Sequence, residues 1–232
     1  MDNEKLAELE SKIGVTFSNK DQLLQALTHR SYLNENTKWH LDHNERLEFL
    51  GDAVLELAIT EYLYEKYPES PEGDMTNWRA ALVNAIMLAE ISKKFDLNDY
   101  ILLSRGEAKD TGRARQYILA NAIEALIGAI YLDQGYEVSR DFILKFVATE
   151  LDNIIKSKTY KDFKSKFQEE AQEKAGITPT YEVMDEWGPD HAKTFKVGLF
   201  LEKELVADGE GNSKQEAQQE AAKNALIAKN WN

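Results

Sequence analysis

Three carboxylates stand at helical spacing between residues 44 and 55. Glu45, Glu48 and Asp52 follow one another at intervals of three and four residues, so a helix carries them on one face. An ordinary solvated acidic face has the same pattern, and the spacing alone favours that interpretation. Gly51 changes the balance, because a glycine inside a helix costs about 1 kcal/mol relative to alanine. Its presence predicts that another backbone or a ligand approaches this face closely.

A further acidic residue lies in an apolar helix later in the chain. The segment 118–132 is apolar nearly all round, so we expect it to be buried together with Glu124. A buried carboxylate must be protonated, paired with a base or bound to a cation, and no Lys or Arg lies within a turn of this residue. Asn121, one turn earlier, adds an amide oxygen. Oxygen ligands from two helices suit Mg²⁺ or Mn²⁺ better than zinc; an arginine from elsewhere in the chain is the alternative partner for Glu124.

The elements that must position these residues fall into two parts. From Asn3 to about Ile155, apolar residues recur at intervals of three and four, which indicates helices throughout. The polar stretch 156–159 is a plausible linker. We therefore predict a mainly α protein: an all-helical domain at residues 1–156, followed by a small α+β domain of α-β-β-β-α order at residues 160–232.

In the second part of the chain, the spacing of apolar residues changes from that of a helix to that of strands and back to that of a helix. A helical stripe begins at Phe163, residues 180–187 are extended, and apolar residues alternate with others along 195–201. We expect a short third strand at Leu205–Ala207 and a turn at residues 208–211. Ser213 is placed to cap a final helix. The buried face predicted for that helix consists of Ala217, Ala221, Ala222, Ala225 and Leu226.

Composition restricts the class of protein. The 232 residues contain no cysteine, which excludes disulfides, thiolate metal sites and thiol nucleophiles and fits a reducing cytoplasm, the location we expect. We identify no membrane span and no signal peptide. The net charge is -13, and residues 160–232 hold 10 basic and 14 acidic residues, a net of -4. Any nucleic-acid binding must therefore come from a few well-placed groups.

The stretch from His43 to Leu57 resembles the signature of the ribonuclease III family. Further segments of that family stand around it in the same order, and the similarity covers essentially the whole chain. These segments are Ala26–Tyr32, Glu72–Met75, Leu103–Glu107 and Glu124–Ala129.

The resemblance implies an all-helical endonuclease domain whose carboxylates bind Mg²⁺, with Mn²⁺ as a substitute. By position the acidic ligands are Glu48, Asp52 and Glu124, and Asp52 and Glu124 are the catalytic pair that activates the attacking water. A cation at such a site lowers the pKa of its water and neutralises charge on the phosphate. The family normally has Asp where this chain has Asn121, the fourth ligand position, and this exchange weakens the site.

The family also implies supporting acids and a homodimer. Glu45 and Glu72 correspond to acids that line the RNA valley, and Phe49 corresponds to an aromatic residue that plugs a socket on the partner. The alternative for Phe49 is an ordinary core residue. Two sites in a symmetric dimer cut opposite strands, which leaves 5′ phosphates, 3′ hydroxyls and short 3′ overhangs.

Residues from about Asp162 resemble a double-stranded-RNA-binding domain. Such a domain reads two minor grooves and the intervening phosphates by shape over about 16 base pairs. Gln215 stands where a second lysine is usual and Asn212 where a basic residue is common, so we expect weak, salt-sensitive binding. The RNA-binding residues implied by the resemblance are Gln168, Glu169 and Gln172 on the first helix, Pro189, His191 and Lys193 in a loop, and Ser213 and Lys214 at the start of the last helix.

We expect a cytoplasmic, homodimeric, Mg²⁺-dependent endoribonuclease that cuts double-stranded RNA, with ribosomal RNA precursors and other structured transcripts as substrates. The alternative is a non-cleaving double-stranded-RNA-binding protein whose metal site is weakened by Asn121. A third hypothesis is an acidic structural dimer with no role in RNA chemistry.

Overall fold

The computed structural model of the chain describes residues 3–157, 163–189 and 193–231. The chain divides into two compact units, with the division after residue 160. Each unit is described by itself below.

The first unit is helical, as predicted. Its short 3-10 turns lie at Lys93–Phe95, Leu97–Asp99, Glu107–Lys109 and Ala148–Glu150. Its α-helices are α1 (Asn3–Ile13), α2 (Lys20–Ala26), α3 (Arg30–Glu35), α4 (Glu45–Lys66), α5 (Glu72–Val83), α6 (Ala85–Ser92), α7 (Arg113–Gln134), α8 (Tyr136–Phe146) and α9 (Leu151–Ser157).

Helix α7 lies at the centre of this unit, and its residues 125–130 are all buried. Helix α4 packs along it through two glycines. A Cβ on Gly51 would lie 1.7 Å from the carbonyl oxygen of Glu124, and a Cβ on Gly128 would lie 2.2 Å from that of Leu47. Only residues without a side chain permit this separation. The close backbone approach predicted from Gly51 is therefore confirmed.

The second unit has the predicted α-β-β-β-α order. Its elements are α10 (Phe163–Ala175), β1 (Thr180–Trp187), β2 (Thr194–Leu201), β3 (Glu204–Gly211) and α11 (Lys214–Lys229). The three strands form an antiparallel sheet in the order β1-β2-β3. Phe167 of α10, Leu199 of β2 and Leu226 of α11 belong to one buried cluster, so both helices cover the same face of the sheet.

The start of α11 is capped as predicted, because the Ser213 hydroxyl accepts a hydrogen bond from the Glu216 backbone N–H at 3.1 Å. The prediction of a turn at residues 208–211 is wrong, since these residues belong to β3. A Cβ on Gly209 would lie 2.2 Å from the Ala221 nitrogen, and one on Gly211 would lie 2.6 Å from the Ala217 nitrogen. These glycines let α11 pack directly on the strand, so their role is close packing and not chain reversal.

No helix in the described ranges is long and apolar enough to cross a membrane.

Candidate metal centre and RNA-binding surface

Asn44 fixes the point at which α4 begins. Its backbone N–H donates to the Thr28 carbonyl at 2.9 Å, and its side-chain amide donates to the Ala26 carbonyl at 3.1 Å. The residue is buried, so both polar groups need these partners. Its own carbonyl accepts from the Glu48 N–H at 2.9 Å, which starts the helix. The sequence pattern of the carboxylates does not single out Asn44, although asparagine immediately before an acidic first turn is a common helix-starting residue.

The glycine contact sets acidic residues of α4 opposite polar residues of α7. Glu48 and Asp52 lie on either side of Gly51 in sequence, and Gly51 lies against the backbone of Glu124. Asn121 stands one turn before Glu124 on α7 and makes a side-chain hydrogen bond with Glu48. The structure therefore brings together the four residues predicted as ligands, which come from segments about seventy positions apart in the chain.

The electrostatics of this cluster oppose ionisation. Burial, followed by the charges of Asp52 and Glu48, raises the pKa of Glu124 to about 8. Burial and the charges of Glu45 and Asp52 also raise the pKa of Glu48, and the hydrogen bond with Asn121 partly offsets this increase. A bound cation would offset the repulsion among these carboxylates and favour their ionised forms.

The Glu124 carboxylate is less enclosed than we expected. It is partly exposed, whereas its neighbours Ile123 and Ala125 are buried, so the edge of α7 that faces Asp52 opens to solvent. Within the described ranges no hydrogen bond or ion pair involves the Glu124 carboxylate, and the expected alternative of an arginine partner has no support there. The group is accessible and lacks a compensating positive charge.

The predicted supporting acids are separated in the structure. The Glu45 carboxylate pairs with Arg30 at 3.5 Å, its backbone N–H donates to His43 Nδ1 at 3.4 Å, and its charge acts on Glu48. Glu72 lies in the first turn of α5, where it accepts a hydrogen bond from the Thr76 hydroxyl at 2.9 Å. Glu72 also lines a separate cavity of about 240 Å³. The described contacts do not connect Glu72 with the cluster, and its role in RNA binding stays a prediction.

The donor set of the cluster fits a hard divalent cation. Carboxylate and amide oxygens are the preferred ligands of Mg²⁺ and Mn²⁺, and the cluster lacks sulfur and imidazole donors. Across the residues that the structure describes, no three His, Asp or Glu side chains are grouped so that they could hold a metal ion. The cluster nonetheless joins the right donor types to uncompensated negative charge. The residues that would hold the cation are Glu48, Asp52, Asn121 and Glu124.

Phe49 points away from the core. Its side chain is 83% exposed, so the alternative that it is an ordinary core residue is wrong. Beside it lies a cavity of about 660 Å³, which is also lined by Leu50 and Leu132. An exposed aromatic next to an apolar cavity is typical of a protein-protein contact.

In the second unit, the predicted residues of α10 share one surface. Gln168, Glu169 and Gln172 are exposed and line a shallow cavity of about 520 Å³. Amide groups in this arrangement can donate to and accept from ribose hydroxyls.

Lys193, just before β2, and Lys214, at the start of α11, lie around one aromatic ring. The Lys193 ammonium lies 5.9 Å from the Phe195 ring centroid and the Lys214 ammonium lies 5.7 Å from it. Lys193 also forms an ion pair of 2.8 Å with Glu186. Pro189 is exposed at the end of the described part of the loop, and the predicted residue His191 lies outside the described residues. Sequence reasoning missed Phe195 and Glu186, since nothing in their local pattern distinguishes them from ordinary strand residues.

These observations define a class: a helical domain with a cluster of acidic and amide side chains between two helices, followed by a small α-β-β-β-α module that presents amides and lysines. The comparisons with known proteins agree with it. Residues 19–151 match a family model described as ribonuclease-III-like, and residues 163–228 match the double-stranded RNA binding motif.

Relatives with the name Ribonuclease 3 align over nearly the full length. The protein from Desulforamulus reducens is 44% identical over 97% of this chain and 91% of its own length. The protein from Nitratiruptor sp. is 44% identical over 96% of each chain. A solved nuclease domain of ribonuclease III from Campylobacter jejuni is 40% identical, with a TM-score of 0.57, over 65% of this chain and 97% of that domain. The chain belongs to the ribonuclease III family, and it is an endoribonuclease.

Proposed function

We propose that the protein is a Mg²⁺-dependent endoribonuclease that cleaves double-stranded RNA and leaves 5′-phosphate and 3′-hydroxyl ends. The observation that carries this proposal is the α4–α7 contact at Gly51, which sets Glu48 and Asp52 opposite Asn121 and Glu124. The oxygen donors and the excess negative charge of this cluster are the chemistry that a divalent cation requires.

The residues of the cluster have distinct roles in this proposal. Glu48, Asp52 and Glu124 would hold Mg²⁺, which supplies an activated water and neutralises phosphate charge when it is bound. Asp52 and Glu124 would be the catalytic pair that activates and orients the attacking water. Asn121 holds Glu48 in position through the side-chain hydrogen bond. Glu45, whose carboxylate Arg30 orients, supports the cluster from the first turn of α4.

The second unit supplies the affinity for duplex RNA. The amides of Gln168 and Gln172, with Glu169 beside them, suit ribose hydroxyls in the minor groove. Ser213 caps the start of α11 through the Glu216 N–H, and Lys214 adds a positive charge at this helix N-terminus, which favours a phosphate. The match of residues 163–228 to the double-stranded RNA binding motif supports this assignment.

We infer further that the enzyme acts as a homodimer in which Phe49 enters the cavity beside Leu50 and Leu132 of a second copy. The exposed ring and the adjacent apolar cavity support this inference. One Campylobacter jejuni structure concerns a region involved in dimer formation of that nuclease domain. Paired sites of opposite orientation would cut both strands and leave short 3′ overhangs. We assign the enzyme to the cytoplasm and to the processing of ribosomal RNA precursors and other structured transcripts.

Incubation with a perfect RNA duplex, longer than about 16 base pairs, tests the proposal. We expect cleavage with Mg²⁺ and none with EDTA, and end analysis should find 5′ phosphates. A single strand of the same sequence is the matched substrate control. Cleavage that persists unchanged in EDTA would contradict the metal-dependent mechanism.

One observation favours a second function. Asn121 provides a neutral amide where a carboxylate would add charge, and this amide is engaged with Glu48. A protein with this exchange that binds duplexes without cutting them would be an RNA clamp. The same incubation separates the two functions, because a clamp retards the duplex in a gel at every Mg²⁺ and Mn²⁺ concentration and leaves it intact.

A further inference from the structure

A carboxylate occupies the space between two lysines of the RNA-binding surface. Glu186, near the end of β1, forms an ion pair with Lys193, whose ammonium donates a hydrogen bond to the carboxylate at 2.8 Å. The Lys214 ammonium and the Lys193 ammonium lie 5.7 Å and 5.9 Å from the centroid of the same Phe195 ring. Phe195 and Glu186 are partners in the β1–β2 register, so the sheet itself holds the carboxylate at this position.

The charges of this cluster are coupled. The hydrogen bond from Lys193, and then the charges of Lys193 and Lys214, lower the pKa of Glu186. Glu186 is therefore ionised at neutral pH. It is bound by Lys193 and attracted by the charge of Lys214, the two ammonium groups that a phosphate would need. The side chains of Lys193 and Glu186 both remain accessible, so an RNA phosphate can reach them.

We infer that Glu186 is an internal competitor for RNA phosphate, which sets the affinity of the second unit for duplex RNA below the value that its lysines could reach. This inference rests on the proposed function, because it assigns Lys193 and Lys214 to phosphate binding. A phosphate that arrives at Phe195 must displace the carboxylate from Lys193 and accept the repulsion of the remaining negative charge. Glu186 is thus one acidic residue through which the net negative charge of the chain lowers the affinity for RNA.

The test compares Glu186→Gln with Glu182→Gln in the full-length protein. Both variants remove one negative charge from β1. Glu182 pairs with Gly198, whose position in β2 alternates with those of Phe195 and Val197, so it lies on the opposite face of the sheet. Binding of a dye-labelled RNA duplex is measured by fluorescence anisotropy in EDTA, at several salt concentrations.

We expect Glu186→Gln to bind the duplex about three- to tenfold more tightly than the parent. The slope of log Kd against log salt should steepen by about one phosphate contact. Glu182→Gln should stay within about twofold, the size of a general charge effect. Adding Lys214→Met to Glu186→Gln should return the affinity towards that of the parent.

Two results would overturn the inference. Equal affinities of Glu186→Gln and Glu182→Gln, with a parent that binds the duplex, would refute the competitor role and leave the proposed function intact. If neither the parent nor any variant binds the duplex even at low salt, the proposed function fails and the inference fails with it. Circular dichroism of each variant verifies that the second unit is folded.

Discussion

Replacing Glu124 by glutamine should stabilise the protein in the absence of metal. The folded state raises the pKa of this carboxyl from 4.5 to about 8. At about 1.4 kcal/mol per pKa unit, this shift means that the fold favours the protonated over the ionised carboxyl by about 5 kcal/mol more than the unfolded chain does. The carboxyl is partly exposed, so solvent screening reduces the value, and we adopt about 2 kcal/mol.

The sign of the pH dependence follows from proton binding. The folded state holds the proton more tightly than the unfolded chain, so the carboxyl favours the folded state below about pH 4.5 and loses this contribution as the pH rises to about 8. Glutamine carries no such charge. The melting temperature of Glu124→Gln should therefore match that of the parent at about pH 4, below the pKa of the unfolded chain, and exceed it by about 4–8 °C at about pH 8.5.

Thermal unfolding in EDTA, followed by circular dichroism at both pH values, measures the difference. Glu69→Gln is the matched control, because Glu69 is exposed in a loop and its substitution removes the same charge. Mg²⁺ should then raise the melting temperature of the parent, with little effect on Glu124→Gln, which should also lose cleavage and keep RNA binding. A Glu124→Gln protein that melts below the parent at about pH 8.5 in EDTA would refute the electrostatic account.

Three further results are expected. Phe49→Ser should convert the proposed dimer to a monomer, as measured by light scattering at micromolar concentration for the parent and the variant; a dimer of unchanged affinity would show that the ring does not mediate association. Gly51→Ala should lower the free energy of unfolding, measured with denaturant, by more than about 3 kcal/mol, because its Cβ would lie 1.7 Å from the Glu124 carbonyl oxygen. Gly73→Ala is the matched control and should be tolerated, because its Cβ would meet no neighbouring group within 4 Å. Asn121→Asp should lower the Mg²⁺ concentration for half-maximal cleavage by restoring a charge, and an unchanged metal dependence would remove this position from the ligand set.

The sequence by itself determined the elements and their chemistry. Periodicity is a local property, so the helices of the first unit and the α-β-β-β-α order of the second could be predicted from residues a few positions apart. The cap at Ser213 follows from the same short-range chemistry. Gly51 was informative because its cost inside a helix demands a compensating contact. The acids Glu48 and Asp52 could be placed on one helix face, since that requires only helical spacing.

Only the tertiary structure decided which distant groups meet. The approach of α4 to α7 sets Asp52 beside Glu124, and the opening at the edge of α7 leaves the Glu124 carboxylate partly exposed. The position of Glu186 between two lysines depends on the strand register and on the start of α11. Residues 208–211 have the composition of a turn, yet they form a strand because α11 packs where their glycines have no side chains. In each case the contact joins segments far apart in the chain, and packing of the whole domain, which local patterns do not encode, selects it.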